Sequence, residues 1–331
     1  MTDSESTTGA DTLSDLPDSP LVSVVITTYD EEIYDDFAAC VQSVLDQSYE
    51  HVEVVIVTET DHAEERVFDQ FAELPSVNHV HSEHSLNLAS ARNLGARRAT
   101  GDIYAFIDDD AVADQEWLAQ IVDAYESEAA LAVGGKLTAK WPDAGPKYLP
   151  PEFYWLVGVT HRGFSEEAGP VRNTFGANIS FRGDVFDKLG GFDVQFGKDH
   201  GHNLQSEETE LCVRLREGFR RDLYYVPEAV VSHRVYDWQL SWRWLINRAF
   251  WQGYSKKLLS SKTQSSQKTE LDFFKYIMSE SIKLYIKEMY KDKSAVPIGR
   301  LIMMYVLTLS VGIGYLTAII GRRVQSTNNT N

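Results

Sequence analysis

Apolar, β-branched runs alternate with helical patterns along the first third of the chain. Residues 21–29, LVSVVITTY, make a continuous run of the kind a strand buried on both faces needs. After an acidic turn, FAACVQSVLDQSY at 37–49 sets apolar residues at helical spacing. VEVVIVTE at 52–59 predicts a second buried strand, followed by a helix near 62–73 and a short strand near 77–81. LASARNLGARRAT at 88–100 reads as a helix stopped by Gly101, and DIYAFID at 102–108 as the next strand. Strands and helices alternating in this way predict an α/β fold, a parallel sheet with helices on both faces.

Beyond residue 131 the pattern is more mixed. AVGGKLTAKW at 132–141 suggests a strand entering a loop. Residues 174–193 suggest a strand, a helix from Asp184 and a Gly-Gly stop. SEETELCVRLREGF at 206–219 is an amphipathic helix, with Ser206 as N-cap and Glu207 and Glu208 in its first turn, where the helix dipole favours negative charge. Residues 222–233 read as a strand pair. The Trp-, Arg- and Lys-containing helix at 238–259 is expected to lie at a membrane surface, in preference to packing within a soluble domain. Residues 301–320 then run without a charge, which predicts one membrane span over 298–321. Lys283, Lys287, Lys291, Lys293 and Arg300 precede it, against Arg322 and Arg323 after it, so the large domain is expected on the cytoplasmic side of the cell membrane. The expected layout is a disordered acidic tail (1–19), an α/β domain (20–235), a juxtamembrane helical region (236–297), the span and a short tail (322–331).

The net charge of −18 excludes a general nucleic-acid binder, which needs a basic face. It also fits a proteome that works at high salt, where a crowded acidic surface is screened. Cys40 and Cys212 are too few and too far apart for a disulfide framework or a zinc site.

Ligands of parallel sheets bind beyond the carboxyl ends of the strands. Asp108, Asp109 and Asp110 stand at one such end, Thr28, Tyr29 and Asp30 at another, and Glu59 at a third. Asp108 and Asp110, two residues apart, share one side of an extended backbone and suit Mg²⁺ or Mn²⁺ as hard oxygen ligands. Read alone, the same triplet is also an ordinary Asp-rich turn.

Five ordered segments carry a resemblance: VSVVITTYDEE, SVLDQSYEHVEVVIV, NLASARNLGARRATGDIYAFIDDDA, GANISFRGDVFDKLGGFD and EETELCVRLREGF. Over residues 20–235 the chain resembles family 2 glycosyltransferases, whose GT-A fold is a Rossmann-like nucleotide-diphospho-sugar transferase domain. It departs from the family pattern at Thr27 and Asp30, at Thr58 and Glu59 in place of an Asp pair, and at Glu208 in place of Asp. The resemblance implies a divalent metal, Mn²⁺ or Mg²⁺, on Asp108 and Asp110, with His233 as a further ligand. It implies nucleotide-sugar contacts from Thr28, Asp30, Glu59, Arg92 and Asp108, a general base at Glu208 with Glu207 as the alternative, and acceptor-side roles for Asn178 and Arg182. The implied function is inverting transfer of a sugar, a hexuronic acid among those such enzymes move, from a UDP-sugar to a dolichyl-phosphate-linked glycan in protein (S-layer) N-glycosylation. Two readings compete: a polyprenyl-phosphate monosaccharide synthase, and an inactive membrane-anchored carbohydrate-binding protein. A nicotinamide-dependent dehydrogenase is disfavoured because no GxGxxG follows the first strand.

Overall fold

The computed structural model describes residues 13–29, 31–59, 67, 70–196, 198–199, 202–262, 275–291 and 294–328. The first half follows the predicted alternation: β1 (Val22–Thr28), α1 (Tyr34–Leu45), β2 (Val52–Thr58), β3 (Val77–His81), α2 (Leu88–Ala96) and β4 (Ile103–Asp108). Then come β5 (Ala111–Ala113), α3 (Trp117–Ser127), β6 (Ala132–Lys140), a 3₁₀ helix (Pro151–Val157), β7 (Gly169–Val171), β8 (Ile179–Arg182) and α4 (Gly183–Leu189). The short pair β9 (Lys198–Asp199) and β10 (His202–Asn203) leads to α5 (Glu207–Phe219) and β11 (Leu223–Arg234). The chain ends in α6 (Trp242–Lys262), α7 (Ile282–Lys291) and α8 (Val296–Asn328). The helix expected near 62–73 lies largely outside the described residues.

The main sheet has nine strands, in the order β3-β2-β1-β4-β8-β6-β11-β5, with β7 on β11. β1 to β4 are mutually parallel, but β8 enters antiparallel between β4 and β6, so the sheet is mixed and not purely parallel. Alternation along the strands sends Val24, Ile26, Ala105 and Ile107 to one face, against Phe37, Val41, Leu118 and Ile121. Val25, Val55 and Phe106 go to the other face, against Ala89, Phe186, Leu211 and Leu215. Burial on both faces explains the continuous apolar runs.

Several local expectations change. Residues 222–233 form one long strand, β11, kinked by a bulge between Val226 and Val230, and not a strand pair. The tail expected to be disordered through residue 19 is already anchored by Leu13 and Leu16, which pack on the two faces of the core. Ser206 starts α5 with φ 103°, a left-handed conformation, and its side chain makes no capping bond.

α6, expected at a membrane surface, packs along one side against α8. A third apolar cluster joins Leu149, Phe153, Leu245, Ala249, Tyr285, Met304 and Leu307. α6 and α8 approach closely at glycines: a Cβ on Gly314 would stand 1.9 Å from the Phe250 carbonyl oxygen, and one on Gly253 1.9 Å from that of Val311. The Ser310 hydroxyl donates to the Ile246 carbonyl at 2.7 Å. The opposite side of α8 is an exposed stripe that includes Ile302, Leu309, Ile313, Leu316 and Ile320. Residues Val296–Ile320 form a 25-residue apolar helix, about 37 Å long against a bilayer core of roughly 30 Å, and thus a candidate span.

Candidate active site

A cavity of about 1300 Å³ opens at the carboxyl ends of β1, β2 and β4. Because the strands are parallel and in register, Thr28, Thr58 and Asp108 finish at one edge of the sheet. β11 runs parallel to β6 and delivers His233 to the same edge, opposite Ala111 of β5.

The acidic turn is the centre of this edge. His233 Nε2 lies 3.3 Å from Asp110 Oδ1 and 4.0 Å from Asp108 Oδ2. One ligand atom from each of the three residues lies within 4.8 Å of the others, so they can hold one metal ion. Two hard carboxylate oxygens and an imidazole nitrogen fit a small divalent cation, and suit Mn²⁺ better than Ca²⁺, which prefers all-oxygen shells. Asp109 turns inward instead. Burial, reinforced by Asp110, pushes its carboxyl well above the usual carboxylate range, and the Thr28 hydroxyl bonds to it.

Arg92 ties this turn to the acidic pair of α5. Its guanidinium is buried, bonded to Asp108 Oδ1 at 2.5 Å and to Glu207 Oε1 at 3.0 Å, and lies over the Phe192 ring. Gly176 makes room: a Cβ there would meet Arg92 Nη1 at 2.5 Å. Glu207 is thus engaged by Arg92. Glu208 is not, and burial together with the neighbouring Glu207 charge pushes its pKa up to about 8. Just before them sits Ser206 in its left-handed conformation, buried, so backbone strain of order 1–3 kcal/mol is stored where the acidic pair is aimed.

The residues expected from sequence divide clearly. Asp108, Asp110, His233, Glu207, Glu208, Arg92 and Glu59 all line the cavity. Glu59 accepts a bond from the Leu86 amide at 2.8 Å. Asp30 lies outside the described residues. Thr28 does not line the cavity: strand alternation turns Thr27 into it and Thr28 away, toward Asp109.

Two acceptor-side expectations are corrected. Asn178 is fully buried in the sheet; its amide donates to the carbonyls of Ala229 at 2.9 Å and Lys136 at 3.1 Å and accepts from the Trp117 indole at 2.8 Å. These bonds stitch β6, β11 and α3 together and leave no group for a ligand. Arg182 lies at the opposite edge of the sheet, paired with Ile103 at the start of β4, where its guanidinium grips Asp184 and the Ser14 carbonyl.

The far wall of the cavity was not anticipated. Trp244, Arg248, Gln252 and Lys256 of α6 line it, spaced four apart on one side of the helix. The apolar cluster against α8 is on the other side of the same helix.

The sequence profile described as Glycosyl transferase family 2 matches residues 23–190. Across 311 residues the chain is 37% identical to a Haloferax volcanii protein named glucosyl-dolichyl phosphate glucuronosyltransferase, covering 93% of this chain and 99% of that protein. It is 28% identical over 194 residues to the succinoglycan biosynthesis protein ExoM of Rhizobium meliloti, covering 57% of this chain and 59% of that one. Among solved structures, the mannosyltransferase PcManGT of Pyrobaculum calidifontis, determined with GDP-Man and Mn²⁺, superposes with TM-score 0.58 at 16% identity, covering 92% of this chain and 90% of that one. GalNAc-T7, determined with UDP, GalNAc and Mn²⁺, gives TM-score 0.53 at 19% identity, covering 82% of this chain and 58% of that one. The fold is therefore GT-A.

Proposed function

The chain belongs to glycosyl transferase family 2 and is a glycosyltransferase, and from that premise we propose that it moves a hexuronic acid from a UDP-sugar to a dolichyl-phosphate-linked sugar. The observation that carries the reading is one cavity holding a metal-competent Asp108–Asp110–His233 group and Glu208 with its raised pKa. The 37% identity over nearly the whole chain supports the acceptor class.

The residues act as follows in this proposal. Asp108, Asp110 and His233 hold Mn²⁺ or Mg²⁺, which when bound neutralises charge on the diphosphate leaving group. Arg92 fixes Asp108 and Glu207 relative to each other, so the two halves of the site keep their spacing. Glu59 and Thr27 line the end of the cavity that takes the nucleotide. Glu208 takes the proton of the acceptor hydroxyl as its oxygen bonds to the anomeric carbon; the bond to the diphosphate breaks on the opposite face, and the configuration inverts. Glu208 serves better than Glu207, whose carboxylate Arg92 already engages.

We assign the protein to the cell membrane. Residues 298–321 cross once in this reading, the catalytic domain faces the cytoplasm, and the N-glycosylation of a surface-layer protein is the pathway served. A tethered site gains local concentration of a lipid-linked acceptor. The test is UDP release from a panel of UDP-sugars by the membrane-bound protein, in high salt, with and without Mn²⁺ or Mg²⁺ and a dolichyl-phosphate-sugar. Release that needs one sugar, the metal and the lipid together is expected. Release with bare dolichyl phosphate would make it a monosaccharide synthase, and tight UDP binding without any release would leave an inactive binder.

A further inference from the structure

Among the described residues seven carboxylates line the cavity, five of them, Asp108, Asp109, Asp110, Glu207 and Glu208, at the acidic turn and the start of α5. Arg92, the cation embedded among them, is already bonded to Asp108 and Glu207. Arg248 on the α6 wall is held differently. Its Nε donates to the Leu156 carbonyl at 3.4 Å, and its guanidinium lies over the Trp244 ring at 5.7 Å. Its two terminal nitrogens have no hydrogen-bond or ion-pair partner among the described residues. Glu207, Glu208 and Asp108 attract it through space without forming an ion pair with it. Burial outweighs that attraction and lowers its pKa to about 10. A desolvated cation with an idle donor fork facing a cavity is costly unless an anion completes it.

We infer that Arg248 binds the carboxylate of the transferred sugar and so selects a hexuronate donor over a neutral hexose. The inference rests on the donor reading above and names the residue that enforces it. The transferred ring must lie between the diphosphate site at Asp108 and Asp110 and the base at Glu208; Arg92 and Arg248 both feel the charges of Glu207, Glu208 and Asp108, and Arg92 is already taken up in ion pairs with two of them. A hexuronate entering there meets repulsion from the acidic wall. Arg248 offsets it, and its planar fork matches a carboxylate in two parallel bonds. A neutral hexose needs no such group. Lys256 is two turns further along α6, about 12 Å along the axis, too far to share one carboxylate.

The test compares wild type with Arg248→Gln and Arg248→Lys in full-length, membrane-reconstituted protein. Affinities for UDP, UDP-glucuronate and UDP-glucose are measured with Mn²⁺ and no acceptor, and turnover of both donors is measured with a dolichyl-phosphate-sugar. Wild type should prefer UDP-glucuronate. Arg248→Gln should lose roughly 100-fold in affinity and kcat/KM for UDP-glucuronate, with under about threefold change for UDP-glucose. Arg248→Lys should recover part of the loss, because an ammonium keeps the charge and lacks the fork. Unchanged affinity for UDP itself shows that the variants fold. An unchanged preference between donors in Arg248→Gln would overturn the inference. So would an equal fall with both donors accompanied by a rise in acceptor KM, which would give Arg248 to the acceptor phosphate. A wild type that prefers UDP-glucose would instead overturn the hexuronate reading itself, whatever the variants do.

Discussion

The wall built from strand ends and the wall built from α6 face each other across one cavity, and they hold their polar groups in opposite ways. On the strand-end wall, which the start of α5 completes, most carboxylates are fixed by a neighbour: Asp108 and Glu207 by Arg92, Asp109 by Thr28, Asp110 near His233. On the α6 wall the groups are held more loosely: Arg248 bonds to one carbonyl and lies over the Trp244 ring, Gln252 bonds to the Gln205 side chain, and Lys256 lies over the Trp155 ring. The first wall is preorganised, as charge stabilisation and proton transfer require. On the second, Arg248 keeps its two terminal nitrogens in reserve, which suits recognition. Chemistry and choice of substrate are thus carried by different elements of the same site.

Breaking the strand-end wall should have the largest effect. Asp110→Ala removes one metal-ligand oxygen and should cut turnover by at least about 1,000-fold and abolish its response to Mn²⁺. Activity that keeps its Mn²⁺ dependence would remove Asp110 from the metal site. Glu208→Gln should lower transfer by roughly 100- to 10,000-fold while UDP binding persists. A full rate in Glu208→Gln and a lost one in Glu207→Gln would move the base to Glu207. The pH profile sharpens this assignment. The Glu208 pKa is raised to about 8, so the base is protonated at neutral pH and becomes competent as pH rises. In limiting metal, kcat/KM should climb up to about pH 8 and level off above it, and Glu208→Gln should lose that limb. The stability sign is opposite: a raised carboxyl pKa stabilises the fold fully below its unfolded value and stops helping as pH passes about 8.

The same contrast governs what could be read from the sequence. Asp108, Asp110 and Glu59 were legible because each ends a buried apolar run, and strand ends gather at one edge. Thr27 and Thr28 were not separable, since β1 is buried on both faces and lacks the polar alternation that marks a face. Arg182 was misplaced because β8 runs antiparallel, which puts its last residue at the far edge, and nothing in ISFR declares a strand's direction. Asn178 follows the family pattern for a reason of packing: its three side-chain bonds replace backbone pairing where β11 bulges. Arg248 was missed because α6 is apolar or cationic on most of its circumference, with no sharp amphipathic stripe. The four-residue spacing of Trp244, Arg248, Gln252 and Lys256 was the available signal.

Behind the α6 wall lies α8, and charging its outer stripe tests the membrane tie without touching the packed side. Leu309 is 65% exposed. Leu309→Lys should weaken partition into liposomes by about 100-fold, from roughly 2.5–3 kcal/mol for a lysine at bilayer depth, and leave UDP binding intact. Undiminished vesicle binding would move the anchor to α7 or to the exposed Trp238 and Trp242.

The smallest effect should come from behind the strand-end wall. The Thr28 hydroxyl bonds to the buried Asp109 carboxylate and favours its charged form, against burial and the Asp110 charge that oppose it. Thr28→Val keeps the shape of β1 and removes that bond. The Asp109 pKa should rise further, and the turn that carries Asp108 and Asp110 should lose about 1 kcal/mol of support. Stability should fall by that amount, and the Mn²⁺ concentration for half-maximal turnover should rise several-fold, with affinity for UDP alone little changed. The opposite pattern, weakened UDP binding with an unmoved Mn²⁺ titration, would return Thr28 to the donor contact that its place at the end of β1 suggests. The two threonines therefore separate a group that touches substrate from one that holds the turn touching it: Thr27→Val should affect UDP, and Thr28→Val should affect the metal.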